Sequence, residues 1–180
     1  MAIEIEAKAY TKNLKEIEQK IREIGAKQTW EGEQKDTYYN HPERDFAKTD
    51  EALRVREEDG KVILTYKGPK IDNLTKTREE IKVQVKDLSS ILEILLKLGF
   101  KEVFKVKKHR KIFLLEDFKI CLDSVENLGD FVEIETSVSS EVSEEKISEI
   151  RDSILRTMEE WGLLELERKS YLELLLAKTR

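Results

Sequence analysis

The stretch AIEIEAKAY, residues 2–10, alternates apolar or small side chains with charged ones. In a β-strand successive side chains point to opposite faces, so Ile3 and Ile5 share one face while Glu4, Glu6 and Lys8 share the other. The common arrangement sends the apolar face to the core and the charged face to water. The remaining strands decide whether that arrangement applies to this chain.

Length and composition indicate one globular domain over residues 1–180. The chain has 180 residues, of which 39% are hydrophobic and 39% are charged, so it is long and apolar enough to form a core. The net charge is −5 and both signs are mixed along the chain, so the sequence does not indicate the one-sided basic surface of a nucleic-acid-binding protein. The sequence contains neither an apolar run of about 18 residues nor a secretion signal, so we expect a cytoplasmic protein without a membrane partner.

The single cysteine, Cys121, limits the chemistry of any metal site. One cysteine excludes an internal disulfide and a multi-cysteine zinc site. A metal ion would therefore depend on oxygen ligands.

A strand followed by an amphipathic helix occurs twice. The two apolar helix stripes lie 74 positions apart, at Leu14, Ile17, Ile21 and Ile24, and at Leu88, Ile91, Leu95 and Leu98. Glycines end both predicted helices, the first of which spans about residues 11–25. Predicted hairpins turn at Asp59-Gly60 and near residues 127–129. We therefore predict a pseudo-repeat of about 1–74 and 75–140, differing in an irregular loop after residue 39, with C-terminal helices in 141–180.

Nearly every predicted strand repeats the charged alternation of the first. Two architectures fit this pattern: an open sheet with its charged face in water, and a closed barrel with its charges inside. Such a barrel would contain too many charges for a dry core unless water, metal ions and an anionic ligand filled it.

The two signs of charge point to a phosphorylated ligand and a hard metal ion. Arginine forks and lysine ammonium groups suit consecutive phosphates, and the candidates are Lys8, Arg54, Arg56, Lys67, Arg78, Lys108 and Arg110. Carboxylates at two-residue spacing suit Mg²⁺ or Mn²⁺, and the candidates are Glu4, Glu6, Glu133 and Glu135. Glycine-rich phosphate loops, GxxxxGK or GxGxxG, are absent from the sequence.

Glu4-x-Glu6-x-Lys8 resembles the ExExK signature of the CYTH superfamily, the triphosphate tunnel metalloenzymes that include class IV adenylyl cyclases and thiamine triphosphatases. Further segments resemble the family in the same order along essentially the whole chain: 36–39 (DTYY), 52–56 (ALRVR), 64–69 (LTYKGP), 78–80 (REE), 108–110 (KHR), 128–135 (LGDFVEIE) and 170–171 (SY). Asn40 departs from the acidic residue that many relatives carry at this position.

The resemblance implies an α+β fold, with a closed eight-stranded antiparallel barrel, flanking helices and two pseudo-repeated halves. It implies that the basic residues bind triphosphate and that the four glutamates hold one or two divalent metals. By the same resemblance Asp123 is a further ligand or substrate contact, Glu80 orients neighbouring cations, and Tyr38 lies at the tunnel mouth. A homodimer is also implied.

Three functions fit this site. A class IV adenylyl cyclase would convert ATP to cyclic AMP and pyrophosphate. A triphosphatase would hydrolyse thiamine triphosphate, tripolyphosphate or a nucleoside triphosphate. A non-catalytic sensor would bind polyphosphorylated ligands, but it would not need four metal-type carboxylates. Resemblance of the GDFVEIE segment and chain length favours the cyclase, and this preference is analogy rather than residue chemistry.

Overall fold

The computed structural model describes residues 2–71 and 75–179. Its strands are β1 (Ala2–Thr11), β2 (Lys27–Asn40), β3 (Ala52–Glu58), β4 (Lys61–Lys67), β5 (Arg78–Val85), β6 (Lys101–Leu115), β7 (Phe118–Val125) and β8 (Gly129–Ser139). Its helices are α1 (Leu14–Glu23), α2 (Phe46–Thr49), α3 (Leu88–Lys97), α4 (Glu144–Glu160) and α5 (Tyr171–Lys178).

The eight strands form a closed antiparallel barrel in the order β1-β5-β4-β3-β2-β6-β7-β8. The long β1–β8 ladder pairs Ala2 with Ser139 and Thr11 with Asp130, and a short β1–β5 ladder pairs Glu4 with Arg78. These two ladders close the sheet, so the predicted barrel is confirmed and the open-sheet alternative is wrong.

The offset of 74 positions recurs in the geometry of the barrel. Glu4 lies opposite Arg78, and Gln34 lies opposite Lys108, so each residue faces its own repeat equivalent. The first strands of the halves are exchanged, because β1 pairs with β8 and β5 pairs with β4. The barrel interior is therefore built by both halves.

Equivalent local signals begin and end α1 and α3. Asn13 and Asp87 cap the two helices by accepting hydrogen bonds from the backbone N–H groups of Glu16 and Ser90. Gly25 and Gly99 follow them with φ of 84° and 85°, a left-handed conformation that glycine adopts without strain. Helix α1 starts at Leu14, later than the predicted residue 11, because β1 extends to Thr11 and Asn13 forms the cap.

The turns agree with the sequence except in one loop. Asp59 and Gly60 have φ of 45° and 71°, as a two-residue hairpin turn requires. The loop after β2 is not wholly irregular, because it contains the four-residue helix α2, which Asp45 caps. Within residues 2–71 and 75–179, no helix is long and apolar enough to cross a membrane.

The apolar core lies between the outside of the barrel and the helices. Its largest cluster joins the outward side chains of β1 and β8 to α1 and α4, and includes Ile5, Ile21, Val132, Ile154 and Met158. Burying this outer face directs the alternate, charged residues of the same strands into the barrel.

Candidate active site in the barrel interior

The barrel encloses a cavity of about 490 Å³ whose wall is mainly charged. Its wall includes twelve of the predicted site residues: Glu4, Glu6, Tyr38, Arg54, Arg56, Lys67, Arg78, Glu80, Lys108, Arg110, Glu133 and Glu135. The other two, Lys8 and Asp123, are buried behind this wall. The interior thus collects the cations and carboxylates that are separated in the sequence.

Asp36 organises the cations on the β2–β3 side. Arg56 donates to it from Nε and Nη2, each at 2.7 Å, while Arg54 and Lys108 lie 3.7 and 3.6 Å from the carboxylate. Burial opposes ionisation of Asp36, but Arg56, Arg54 and Lys108 outweigh it and hold its pKa well below the usual value. Asp36 is the first residue of the DTYY segment, but the sequence analysis predicted no role for it, although it shares an inward face with Tyr38.

Glu4 and Glu80 share two lysines. Lys67 Nζ lies 2.8 Å from Glu4 and 3.2 Å from Glu80, and Lys82 Nζ lies 3.0 and 3.2 Å from the same carboxylates. Burial raises the pKa of Glu80, and its contact with Glu4 adds to the effect. Burial acts in the same direction on Glu4, but Lys67 and Lys82 outweigh it and lower its pKa well below the usual value. The two neighbouring carboxyl groups therefore differ in pKa, with Glu80 above and Glu4 below the usual value.

Lys76 joins the site from the segment that precedes β5. Its Nζ donates to Glu6 at 2.6 Å and lies 3.9 Å from Glu133, while its backbone N–H donates to the Glu6 carbonyl at 2.9 Å. Sequence reasoning missed this residue. Extending the alternation of Arg78 and Glu80 back by two positions would have found it.

Arg110 binds two carboxylates and is supported by α5. Its Nε donates to Asp123 at 2.5 Å, and its Nη2 contacts both Asp123 and Glu133. The Tyr171 hydroxyl donates to Asp123 at 2.7 Å. Asp123 therefore positions Arg110, and its oxygens are occupied by Arg110 and Tyr171.

Two lysines have lowered pKa values. Burial and then the neighbouring Lys76 lower the pKa of Lys8 well below the usual value. Lys8 Nζ donates to the Lys169 carbonyl at 2.5 Å and lies 4.0 Å from the centre of the Tyr171 ring. Burial, together with Arg110 and Arg56, lowers the pKa of Lys108 to about 8.

Three carboxylates are arranged as metal ligands. Oxygens of Glu4, Glu6 and Glu135 lie within 4.8 Å of one another, and this donor set fits a hard divalent cation such as Mg²⁺ or Mn²⁺. Each carboxylate already contacts an ammonium group, from Lys67, Lys76 and Lys119 respectively.

Two other predicted ligands are placed differently. Glu133 forms a second group with Glu135 and Cys121, but burial raises the Cys121 pKa and keeps that thiol neutral. Asp123 belongs to neither group, because Arg110 and Tyr171 engage it.

Two arginines present hydrogen-bond donors without acceptors. Within residues 2–71 and 75–179, buried Arg78 makes no ion pair, and its Nε has no hydrogen-bond partner. Arg54 Nε also lacks a partner. Buried donors without acceptors are costly, so both side chains favour an anion in the cavity.

The cavity wall also carries apolar side chains. Side chains from α2, β3, β6 and α5 line it: Phe46, Ala47, Leu53, Val103, Leu172 and Leu176. Asn40 also lies on this wall, and it accepts hydrogen bonds from the backbone N–H groups of His41 and Phe46 at 3.1 and 2.8 Å. The residue that departs from the family pattern thus fixes the loop that carries α2.

Known proteins resemble this chain in both sequence and structure. The CYTH domain matches residues 2–171. A Methanocaldococcus jannaschii protein named "Putative adenylate cyclase" is 42% identical over 172 residues, covering 96% of this chain and 98% of the relative. The solved PH1819 protein of Pyrococcus horikoshii is 46% identical with a TM-score of 0.88, covering 97% of this chain and 99% of its own.

A more distant solved structure carries a different activity. A Hippeastrum protein, described as a "putative adenylyl cyclase" with a dominant triphosphatase activity, has a TM-score of 0.67 at 18% identity. It covers 99% of this chain and 96% of its own. At this identity the likeness shows the fold alone.

Proposed function

Because the chain belongs to the CYTH domain family, we propose that it is a divalent-metal-dependent adenylyl cyclase of the class IV type, converting ATP to cyclic AMP and pyrophosphate. Two features of the cavity together carry the proposal. Arg78 is a buried guanidinium without an ion-pair partner among the described residues, and Glu4, Glu6 and Glu135 form a carboxylate trio arranged as metal ligands. The guanidinium needs an anion, and the carboxylates can exchange their ammonium partners for a metal ion. A metal-bound triphosphate meets both needs.

The arginines act on the triphosphate. Arg54, Arg56 and Arg78 line the cavity, and their guanidinium forks match phosphate oxygens. Asp36 holds Arg56 in place through two hydrogen bonds, so this clamp is ordered before the substrate arrives. Lys108 adds charge that depends on pH, because its pKa is about 8.

Glu4, Glu6 and Glu135 would hold the metal ion. Proteins of this family depend on divalent metals in general. When bound, the ion supplies positive charge to phosphate oxygens and to the reacting hydroxyl group. Lys67, Lys76 and Lys119 neutralise the same carboxylates without it, which supports a site that exchanges ammonium groups for a metal ion.

The apolar part of the cavity supports an organic triphosphate. Phe46, Val103 and Leu176 offer a surface for a ring, whereas an inorganic tripolyphosphate has no group that gains from contact with it. The name of the Methanocaldococcus relative points to the same class of substrate. The single, buried Cys121 supports a reducing compartment, and we propose the cytoplasm.

Triphosphatase activity is the second candidate, because the same clamp and metal site serve water as a nucleophile. The two reactions differ in which phosphorus meets the nucleophile, α in the cyclase and terminal in the triphosphatase. The charged wall surrounds the cavity without marking either position.

A product assay tests the proposal. Purified protein is incubated with Mg²⁺ or Mn²⁺ and, separately, with ATP, thiamine triphosphate and tripolyphosphate. Cyclic AMP with equimolar pyrophosphate is the expected result. Orthophosphate without cyclic AMP would replace the cyclase by a triphosphatase. Tight tripolyphosphate binding without turnover would indicate a sensor, and absence of both binding and turnover would overturn the triphosphate site.

A further inference from the structure

Carboxylates and lysines alternate around the proposed metal ligands and form one network of ion pairs. Its members are four carboxylates and four ammonium groups, those of Glu4, Glu6, Glu80 and Glu135 and those of Lys67, Lys76, Lys82 and Lys119. The formal charges of this network cancel. A divalent cation brought into it adds two positive charges to a buried site, and an excess of buried charge is costly.

The four lysines differ in their access to water. The side chains of Lys67 and Lys76 are only 13% and 5% exposed. Those of Lys82 and Lys119 are 46% and 32% exposed. Because a lysine carries its charge on a flexible four-carbon stem, a partly exposed ammonium group can turn into water without crossing the protein interior. Lys82 and Lys119 therefore have a path out of the network that the other two lack.

The two buried lysines also have partners outside the metal ligands. Lys67 Nζ lies 3.2 Å from Glu80, and Lys76 Nζ lies 3.9 Å from Glu133. Each would keep a neighbouring carboxylate if a metal ion engaged Glu4 and Glu6. In contrast, Glu135 is the one carboxylate that Lys119 contacts within residues 2–71 and 75–179. Water is therefore the alternative partner of Lys119.

A second cavity, of about 560 Å³, adjoins the first at the exposed lysines. Lys82, Lys119 and Glu135 line both cavities. Side chains of β7, β8 and α4 form the rest of the second wall, including Phe118, Val138, Lys146 and Ile150. Helices α2 and α5, whose described residues line the first cavity, contribute none of their side chains to the second. The carboxylate trio is thus reached from two sides, and two lysines separate it from the second cavity.

We propose that Lys82 and Lys119 are the ammonium groups that give way to the divalent metal ion, turning into the second cavity while Lys67 and Lys76 stay in place. This inference rests on the metal site of the proposed function. Departure of the two side chains frees oxygens of Glu4 and Glu135 and removes as much charge as a divalent ion adds. Lys82 and Lys119 thereby set the metal affinity of the trio, because they neutralise its carboxylates without metal and compete with the ion when it binds.

Metal titrations test the competition. Lys82→Gln and Lys119→Gln should each lower the dissociation constant for Mn²⁺ by about threefold to tenfold, because the ion no longer has to displace an ammonium group. Electron paramagnetic resonance of free Mn²⁺ measures it. A lysine that only held the carboxylates in place would give the opposite sign when replaced. Lys146→Gln is the matched control, since Lys146 lines the same cavity but pairs with Glu149, and it should bind Mn²⁺ as the wild type does.

Amine labelling tests the movement itself. It uses the wild type, so its outcome does not depend on whether a variant folds. Acetylation by an N-hydroxysuccinimide ester, located by mass spectrometry, should increase at Lys82 and Lys119 when Mn²⁺ is added and should stay low at Lys67 and Lys76.

The outcomes separate this exchange from the metal site on which it rests. Wild type that binds Mn²⁺ without any increase in labelling at Lys82 and Lys119 would overturn the exchange alone. Unchanged or weaker Mn²⁺ binding by both glutamine variants would do the same. A wild type that binds no Mn²⁺ would overturn the metal site of the proposed function, and the exchange with it.

Discussion

Arg56 binds Asp36 through two hydrogen bonds of equal length, from Nε and Nη2 at 2.7 Å each. This fork joins neighbouring strands inside the barrel, where Asp36 is directly opposite Arg56 in the β2–β3 ladder. Arg54 and Lys108 approach the same carboxylate. One anion therefore orders three cations of the proposed phosphate clamp.

Removing the charge of Asp36 should destabilise the protein. Asp36→Asn leaves the three cations buried without their anion, which we expect to cost about 3 to 5 kcal/mol in the free energy of unfolding. Urea denaturation measures the loss. Glu33→Gln on the same strand removes an exposed carboxylate and should change the free energy of unfolding by less than about 0.5 kcal/mol. Equal stability of the two variants would mean that Asp36 does not organise the clamp.

Alanine substitutions at Arg78 and Arg110 should differ in their effect on the melting temperature. Arg78 makes no ion pair with the described residues, so Arg78→Ala leaves no carboxylate unpaired and should preserve the melting temperature. It should weaken tripolyphosphate binding by about 2 to 4 kcal/mol, because a buried charge-assisted contact is lost. Arg110→Ala, in contrast, leaves Asp123 and Glu133 without their cation and should also lower the melting temperature.

Titration calorimetry and thermal unfolding of both variants provide the comparison. Arg44→Ala is the control, because Arg44 is an exposed cation outside the cavity wall. If Arg78→Ala binds tripolyphosphate as the wild type does, this guanidinium is not part of the clamp.

The carboxylate trio should determine metal affinity. Glu4→Gln or Glu6→Gln removes a charged ligand from the group within 4.8 Å, so the dissociation constant for Mn²⁺ should rise by about tenfold or more and most activity should disappear. Electron paramagnetic resonance of free Mn²⁺ measures affinity without relying on turnover. Glu126→Gln, on an exposed turn, should bind Mn²⁺ as the wild type does. An unchanged affinity in the trio variants would assign these carboxylates to ion pairing alone.

Local sequence patterns predicted much of the fold and site. Strand alternation identified the inward residues, because the two-residue period of a strand fixes which side chains share a face. Closure did not follow from alternation alone, since an open sheet has the same period. The β1–β5 contact at Glu4 and Arg78 provides it.

The missed site residues depend on tertiary contacts. Lys76 lies outside regular structure and is held by its backbone hydrogen bond to Glu6. Tyr171 reaches Asp123 only because α5 packs at the end of the barrel. Lys76 continues the alternation of Arg78 and Glu80 back beyond β5, whereas the position of Tyr171 does not follow from the periodicity of its own segment.

Triphosphate affinity should decrease as the pH rises through about 8. Burial, with Arg110 and Arg56, lowers the pKa of Lys108 to about 8, so this ammonium group loses its proton well below the usual range for lysine. An anion binds the charged form more tightly, and its affinity therefore falls as the proton leaves. Folding has the opposite dependence: Lys108 should destabilise the native state at low pH, and this cost should be relieved between about 8 and 10.5.

Tripolyphosphate titrations between pH of about 7 and 9 measure this dependence. Ionisation of the ligand also varies in this range, so the decisive quantity is the difference between wild type and Lys108→Gln, which lacks the titrating group. Lys67→Gln is the matched control, because Glu4 and Glu80 outweigh the effect of burial and raise the pKa of Lys67. That variant should bind more weakly than the wild type but keep the same decrease with pH. If Lys108→Gln keeps the full decrease, Lys108 does not contribute its charge to the bound anion, and the cation clamp must be assigned to the arginines, Lys67 and Lys76.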